Sequence, residues 1–106
     1  MIPSISPQEL RDELTGPNPP AVIDVREAHE LEISALAGVV HIPLGDLPGC
    51  MDQLPKDGNY VVMCRVGGRS AHATMFLLGN GFSKVRNMTS GINGWARTVD
   101  RSLPEY

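Results

Sequence analysis

The amino-acid sequence predicts an α/β fold in which a parallel sheet is covered by helices on both faces. Short apolar runs that suit β-strands recur along the chain, for example at residues 21–25 and 60–63. Nearly continuous apolar runs are typical of the buried strands of parallel sheets. Segments with helix-capping residues lie between these runs, and such alternation favours a parallel sheet. The chain of 106 residues is long enough for one hydrophobic core, so we expect residues 1–106 to form one domain.

The first predicted helix opens at Ser6, whose side chain suits a helix cap. Pro7 fits the first turn because its missing N–H has no partner there, and Glu9 completes a capping box with Ser6. Residues 16–20 read Gly-Pro-Asn-Pro-Pro and end this helix. The apolar run at 21–25 follows as a predicted central strand.

Two charged residues, Asp24 and Arg26, stand at the end of this strand. We expect both to support the floor of a site. The carboxylate would accept hydrogen bonds from loop amides, and the guanidinium would pair with a neighbouring acid. A short helix is predicted at 28–35, with its acidic residues on the solvent side. These residues are Glu27, Glu30 and Glu32.

A second strand is predicted at 39–42, and Pro43 ends it. His41 lies within this strand. A single histidine in a strand is more often a hydrogen-bonded structural residue than a base, so we assign His41 no catalytic role.

Residues 44–54 predict a turn and a helix that are interrupted by Pro48 and Gly49. Cys50 lies in this interrupted region, without paired glycines or arginines beside it. We interpret Cys50 as incidental to function, and a role as a resolving cysteine is the alternative.

The second half of the chain predicts four more segments. A helix is expected at 71–78, with a glycine-rich stop at 79–81, and a last strand follows at 85–88. Trp95, the single tryptophan, is expected to anchor a final helix to the core. Residues 100–106 predict an irregular tail.

A cysteine follows the strand at 60–63, and a loop with paired glycines and two arginines leads from it into the helix at 71–78. The loop consists of Cys64, Arg65, Val66, Gly67, Gly68, Arg69 and Ser70. Paired glycines suit a backbone that adopts positive φ or approaches a ligand closely. Inward-turned amides, a helix N-terminus and two arginines would together stabilise an anion at the sulfur. The pattern therefore predicts a reactive thiolate at Cys64.

The loop sequence CRVGGRS resembles the active-site loop C-R-x-G-x-R-S of the rhodanese-like sulfurtransferases. Three further segments resemble motifs of that family in the same order. They are D-V-R-E at 24–27, a strand similar to G-A-x-x-I-P at 38–43, and a turn similar to G-G-x-x-x-W at 90–95. The resemblance implies a small α/β domain around a five-stranded parallel sheet. Ligands of such sheets bind beyond the carboxyl ends of the strands, where the cysteine is expected.

The resemblance implies sulfur transfer by covalent catalysis at Cys64. The thiolate would take the outer sulfur of a donor such as thiosulfate, release sulfite, and pass the sulfur to cyanide, a thiol or a sulfur-carrier protein. Residues 65–70 would bind the substrate, with Arg65 and Arg69 on the oxyanion of the donor and Ser70 capping the helix behind the loop. Because the loop is short and rich in glycine, we expect the Cys64 persulfide to lie near the surface, within reach of a macromolecular acceptor. No cofactor is implied.

Three alternative functions stay open. Cysteine-dependent phosphatases and arsenate reductases place five residues between cysteine and arginine, whereas four separate Cys64 from Arg69 here, which encloses a smaller volume. A non-catalytic binding module of the same fold typically lacks the cysteine. Residues 95–106 resemble the ends of rhodanese domains fused to adenylyltransferases of molybdopterin and thiamine sulfur transfer, so a sulfur-relay domain is the third alternative.

Composition narrows the classes of partner. The net charge is −3 and no basic run is present, which argues against a nucleic-acid partner. No apolar run approaches the roughly 20 residues that a membrane span needs, and the N-terminus does not resemble a secretory signal, so we predict a cytoplasmic protein. Two cysteines are too few for a disulfide framework, and no His/Cys cluster has the spacing of a zinc site. Composition leaves the donor, the acceptor and the oligomeric state open.

Overall fold

The computed structural model describes residues 2–106 and contains a five-stranded sheet in which all neighbouring strands are parallel. The strands are β1 (Ser4–Ile5), β2 (Ala21–Asp24), β3 (Val40–His41), β4 (Asn59–Met63) and β5 (Lys84–Met88). Their order across the sheet is β1-β5-β4-β2-β3, so β4 is the central strand. The helices are α1 (Pro7–Leu14), α2 (Ala28–Leu31), α3 (Leu47–Cys50), α4 (Gly68–Gly79) and α5 (Gly91–Thr98). The predicted α/β fold with a five-stranded parallel sheet is confirmed.

The central strand β4 separates two apolar cores, because successive side chains of a strand point to opposite faces. Tyr60, Val62 and the following Cys64 join the core that lies under α3 and α4. Val61 and Met63 join the core that lies under α1 and α5. Each of these five side chains is nearly or fully buried. The alternation therefore places the Cys64 side chain on the face of the sheet that α4 covers.

The sequence pattern did not predict the edge strand β1. It has only two residues, and it pairs with β5 in the register Ser4 to Asn87 and Ile5 to Met88. The amide of Asn87 also donates to the carbonyl of Pro3, at 2.8 Å. Two residues are too few to show a strand periodicity, so only pairing with β5 defines β1.

Two helices differ from their predicted form. α2 is a single turn that ends at Leu31, short of the predicted end, and Glu30 within it is buried instead of facing solvent. Pro48 and Gly49 lie inside α3 and do not interrupt it. Pro48 is tolerated because it occupies the first turn, where its missing N–H would have no intrahelical partner. Residues 2–106 contain no helix that is long and apolar enough to cross a bilayer.

The final helix α5 closes the second core. Trp95 is 9% exposed and packs there with Leu10 of α1 and Ile92, so its predicted anchoring role is confirmed. The tail that follows α5 has no regular structure, as expected. It folds back across the carboxyl ends of the strands, where the cysteine loop lies.

Asp24 and Arg26 form a fully buried ion pair at the end of β2, with Arg26 Nη2 2.8 Å from Asp24 Oδ2. Each N–H group of the guanidinium has an acceptor. The remaining acceptors are the carbonyls of Glu30 and Ser34 and the hydroxyl of Tyr106. A buried guanidinium is stable only when its charge is paired and its donors are satisfied, and this environment meets both conditions.

We expect Arg26→Met to lower the free energy of unfolding by about 3–5 kcal/mol, because it leaves the Asp24 carboxylate buried without a countercharge. The matched control is Arg97→Met, which removes an exposed pair with Glu105 and should change the free energy of unfolding far less, because exposed ion pairs contribute little. Urea unfolding measures both values. Equal losses in the two variants would contradict a supporting role for the buried pair.

Candidate active site

Cys64 follows the last residue of β4 and is only 1% exposed. The unmodified thiol is therefore covered, and the expectation that a Cys64 persulfide lies near the surface stays a prediction. Its burial follows from the alternation along β4, which turns this side chain into the core under α4. A small molecule that reacts with this sulfur must therefore be narrow at its reactive end.

Backbone amides of the loop point at the sulfur. Gly67 N lies 3.1 Å from Cys64 Sγ, and Ser70 N, in the first turn of α4, lies 3.4 Å from it. Gly67 has φ +105, a conformation that other residues rarely adopt, and it ends the loop so that α4 begins at Gly68 and not at the predicted residue 71. The free amides of a helix N-terminus thus become ligands of the sulfur.

The two loop glycines have different roles. Gly67 supplies the positive φ, whereas Gly68 has no atom within 4 Å of the position that a Cβ would occupy. Only Gly67 therefore meets the expectation that glycine is needed for the backbone to turn around the sulfur.

Ser70 lies inside the first turn of α4, and the residue at the helix cap is Gly67, so the prediction that Ser70 caps the helix is wrong. Its hydroxyl instead faces the site, with Oγ 3.3 Å from Cys64 Sγ and 2.5 Å from Asn87 Oδ1. Asn87 of β5 was not among the residues that sequence reasoning selected. Its only signal in the sequence is an amide side chain beside Arg86 near the end of β5.

The surroundings of Cys64 lower the pKa of its thiol. Burial raises that pKa, but hydrogen bonds from the Ser70 hydroxyl and from the amides of Ser70, Gly67 and Val66 outweigh it. Hydrogen bonds to the sulfur, rather than the arginines of the loop, are therefore the main cause of the shift.

The start of α5 holds the backbone on the other side of the cysteine. The amides of Ile92 and Asn93 donate to the carbonyls of Cys64 and Arg65, at 2.9 and 3.1 Å. Gly91 has φ +58, and a Cβ at this position would overlap the backbone of Arg65. The glycine of the segment at 90–95 thus permits close packing of α5 against the loop.

Arg69 forms a two-bond ion pair with the buried Glu30, with Nη1–Oε1 and Nη2–Oε2 distances of 2.7 and 2.8 Å. The Arg69 hydrogen bonds lower the pKa of Glu30 to about 2, against the effect of burial. Glu30 therefore neutralises a cation that we expected to be available to a donor.

Tyr106 joins the tail to the site. Its hydroxyl donates to Glu30 Oε2 at 2.6 Å and accepts from Arg26 Nη1 at 2.9 Å, and burial helps to raise its pKa, so the phenol is protonated. Arg65 lies over the Tyr106 ring, 4.9 Å from its centroid. Arg65 is exposed and has no carboxylate partner among residues 2–106.

The other residues considered from the sequence lie apart from the sulfur or contribute indirectly. Val66 is 60% exposed at the outer side of the loop. His41 is hydrogen-bonded through Nε2 to the carbonyl of Arg26, at 2.7 Å, as a structural histidine would be. Cys50 is a free cysteine, partly buried against the core. No group of three or more potential metal ligands occurs within the described part of the chain.

Residues 6–98 match the profile of the rhodanese-like domain. The chain is 34% identical over 99% of its length to the Arabidopsis thaliana rhodanese-like/PpiC domain-containing protein 12, chloroplastic, but it spans only 38% of that protein. It is 36% identical to a putative sulfurtransferase of Bacillus subtilis, with 89% of this chain matching 90% of that protein. The crystal structure of a rhodanese-related protein from Thermoplasma volcanium superposes with a TM-score of 0.81 at 30% identity and covers 96% of this chain and 95% of that one.

We expect the Cys64 thiol to titrate below the ordinary cysteine pKa of about 8.5. The rate of alkylation by iodoacetamide, followed against pH in a Cys50→Ser variant, measures this pKa. The same titration in concentrated urea should return to the ordinary value, because unfolding removes the amide and hydroxyl donors. The same midpoint for the folded and unfolded chains would contradict the prediction.

We expect the Glu30 ion pair to make stability depend on pH. Folding lowers the pKa of Glu30 to about 2, so its stabilising contribution is complete above the unfolded pKa of about 4.5 and is lost as pH falls towards 2. Glu30→Gln should therefore cost about 3 kcal/mol near pH 7, and this difference should shrink between pH 5 and pH 2. Urea unfolding at a series of pH values measures it.

The control for this experiment is Glu105→Gln, which removes an exposed carboxylate paired with Arg97. Its effect should be small at every pH. A Glu30→Gln difference that stays constant from pH 7 to pH 2 would contradict the ion-pair explanation.

Proposed function

The chain belongs to the rhodanese-like domain family, and on that premise we propose that it is a sulfurtransferase that carries a sulfane sulfur as a persulfide on Cys64. The observation that supports this function most strongly is the buried sulfur at the end of β4, which receives hydrogen bonds from two loop amides. Such donors stabilise a thiolate, which is the nucleophilic form of cysteine.

The proposed reaction has two steps. In the first, the Cys64 thiolate attacks the outer sulfur of the donor, a new S–S bond forms, and the old bond breaks with its electron pair leaving on sulfite or on a thiolate. In the second, the acceptor attacks the outer sulfur of the Cys64 persulfide and returns the thiolate. The amides of Gly67 and Ser70 stabilise the negative charge at Sγ by hydrogen bonds at the start and the end of the cycle.

The two arginines of the loop are not equivalent in this proposal. Arg69 forms an ion pair with Glu30. Arg65 is exposed, has no carboxylate partner among residues 2–106, and lies over the Tyr106 ring. We therefore assign the anionic end of the donor first to Arg65, with Arg69 as a secondary contact. Thiosulfate and small persulfides both meet the requirement for a slender reactive sulfur.

A thiol or a sulfur-carrier protein is the proposed acceptor. Because the Cys64 residue is covered, only the outer sulfur of the persulfide is available to an acceptor, and a thiol or an extended chain end is narrow enough to approach it. The proposal does not need an adenylation domain, since the Bacillus subtilis relative matches over 90% of its length.

We expect Cys64→Ser to abolish sulfur transfer from thiosulfate, because no other side chain has the amide donors that hold the sulfur. Cys50→Ser is the matched control and should retain most of the activity, since Cys50 lies outside the loop. Intact mass after incubation with thiosulfate should show one added sulfur atom in the native chain and in Cys50→Ser, and none in Cys64→Ser. Added sulfur on Cys50, or equal losses of activity in the two variants, would contradict the proposal.

A further inference from the structure

Two buried acceptors, on Asn87 and Cys64, compete for the hydroxyl proton of Ser70 behind the loop. Ser70 Oγ lies 2.5 Å from Asn87 Oδ1 and 3.3 Å from Cys64 Sγ. Asn87 Nδ2 lies 3.3 Å from the carbonyl oxygen of Gly67. Ser70 is fully buried, Cys64 is 1% exposed and Asn87 is 7% exposed, so the proton is exchanged within the protein.

These contacts determine which way the groups point. The Gly67 carbonyl only accepts hydrogen bonds, so the atom of Asn87 that faces it is the NH₂ group, and the atom that faces Ser70 is the amide oxygen. The amide oxygen has no proton, so the Ser70 hydroxyl donates to Asn87. In the thiol form, the S–H of Cys64 is then the donor to Ser70 Oγ.

The thiolate form creates a conflict. The sulfur has then lost its proton, and it faces either a lone pair of Ser70 Oγ or the hydroxyl proton. It gains the proton only if the hydroxyl turns away from Asn87, whose oxygen then loses its donor. A buried acceptor without a donor is costly, so the two acceptors oppose each other.

We propose that Asn87 is a positioning residue that competes with the Cys64 sulfur for the hydroxyl proton of Ser70. Because of this competition, the thiolate receives full hydrogen bonds from the loop amides but only part of the hydrogen bond from the Ser70 hydroxyl. It keeps the sulfur more nucleophilic than full stabilisation would, because the nucleophilicity of a thiolate falls as the pKa of its thiol falls.

The competition also links the hydroxyl to the state of the cysteine, and this part rests on the proposed function. When Cys64 carries a persulfide, Sγ is bonded to the outer sulfur and no longer bears the full charge. The Ser70 hydroxyl then donates its hydrogen bond to Asn87 again. The Ser70 hydroxyl thus turns towards the sulfur in the thiolate and away from it in the persulfide, with no net change in protons.

The charged and titratable groups around the sulfur are the same in the alanine variants of the test. They are Arg65 in the loop, Arg69 in α4, Glu30 in α2, the Asp24–Arg26 pair at the end of β2 and Tyr106 in the tail. Arg86, the neighbour of Asn87 in β5, pairs with Glu13 of α1. Among the described residues none of these side chains hydrogen-bonds to the side chain of Ser70 or Asn87.

The test is the pH midpoint of Cys64 alkylation by iodoacetamide in a Cys50→Ser background. We expect Asn87→Ala to lower the midpoint by about 0.5–1 pH unit, because the hydroxyl then donates to the sulfur alone. In a Ser70→Ala background, Asn87→Ala should leave the midpoint unchanged. A merely structural role for Asn87 would loosen the loop amides and raise the midpoint in both backgrounds.

Asn87→Asp keeps an acceptor at this position and adds negative charge. The charge alone raises the midpoint in both backgrounds, so competition for the hydroxyl predicts a larger rise with Ser70 present than in the Ser70→Ala background, and this difference carries the test if Asn87→Ala does not fold. Three results would overturn the proposal: a midpoint that rises or stays constant in Asn87→Ala, an equal fall in the Ser70→Ala background, or an equal rise of Asn87→Asp in the two backgrounds. The measurement uses no sulfur donor. A chain that transfers no sulfur would therefore refute the proposed function without changing this outcome.

Discussion

A buried sulfur that becomes an anion needs hydrogen-bond donors that are already in place, and this constraint explains the organisation of the site. The apolar core supplies none, so the donors come from backbone amides at the turn from β4 into α4. Gly67 adopts positive φ to make this turn, and the first turn of α4 contributes the amide of Ser70. The amides at the start of α5 then hold the carbonyls of Cys64 and Arg65 from the other side.

A second set of interactions surrounds this loop and consists of two ion pairs and the hydrogen bonds of the Tyr106 hydroxyl that link them. Arg26 pairs with Asp24 beneath the site, Arg69 pairs with Glu30, and the Tyr106 hydroxyl bridges Glu30 and Arg26. The tail also contacts the loop, because the Tyr106 ring lies under Arg65, the loop cation without a carboxylate partner among residues 2–106.

Local chemistry explains which features could be predicted. The capping box at Ser6, the buried run of β4 and the glycine that turns the loop all depend on neighbours within a few residues, and the structure contains each of them. Glu30 looked exposed because the sequence does not show that Arg69, far along the chain, neutralises it. Asn87 was missed for the same reason, since its partners Ser70 and Gly67 belong to another element.

The sequence by itself determined the α/β class, the loop that surrounds the cysteine and the resemblance to a family, because these depend on residue types and short spacings. Tertiary structure alone decided that Cys64 is covered, that Arg69 is neutralised, and that Ser70 faces the sulfur instead of capping α4. The position of Ser70 depends on the turn at Gly67, which starts α4 before Ser70. The other two features depend on strand order and helix packing, which bring together residues that are far apart in the chain.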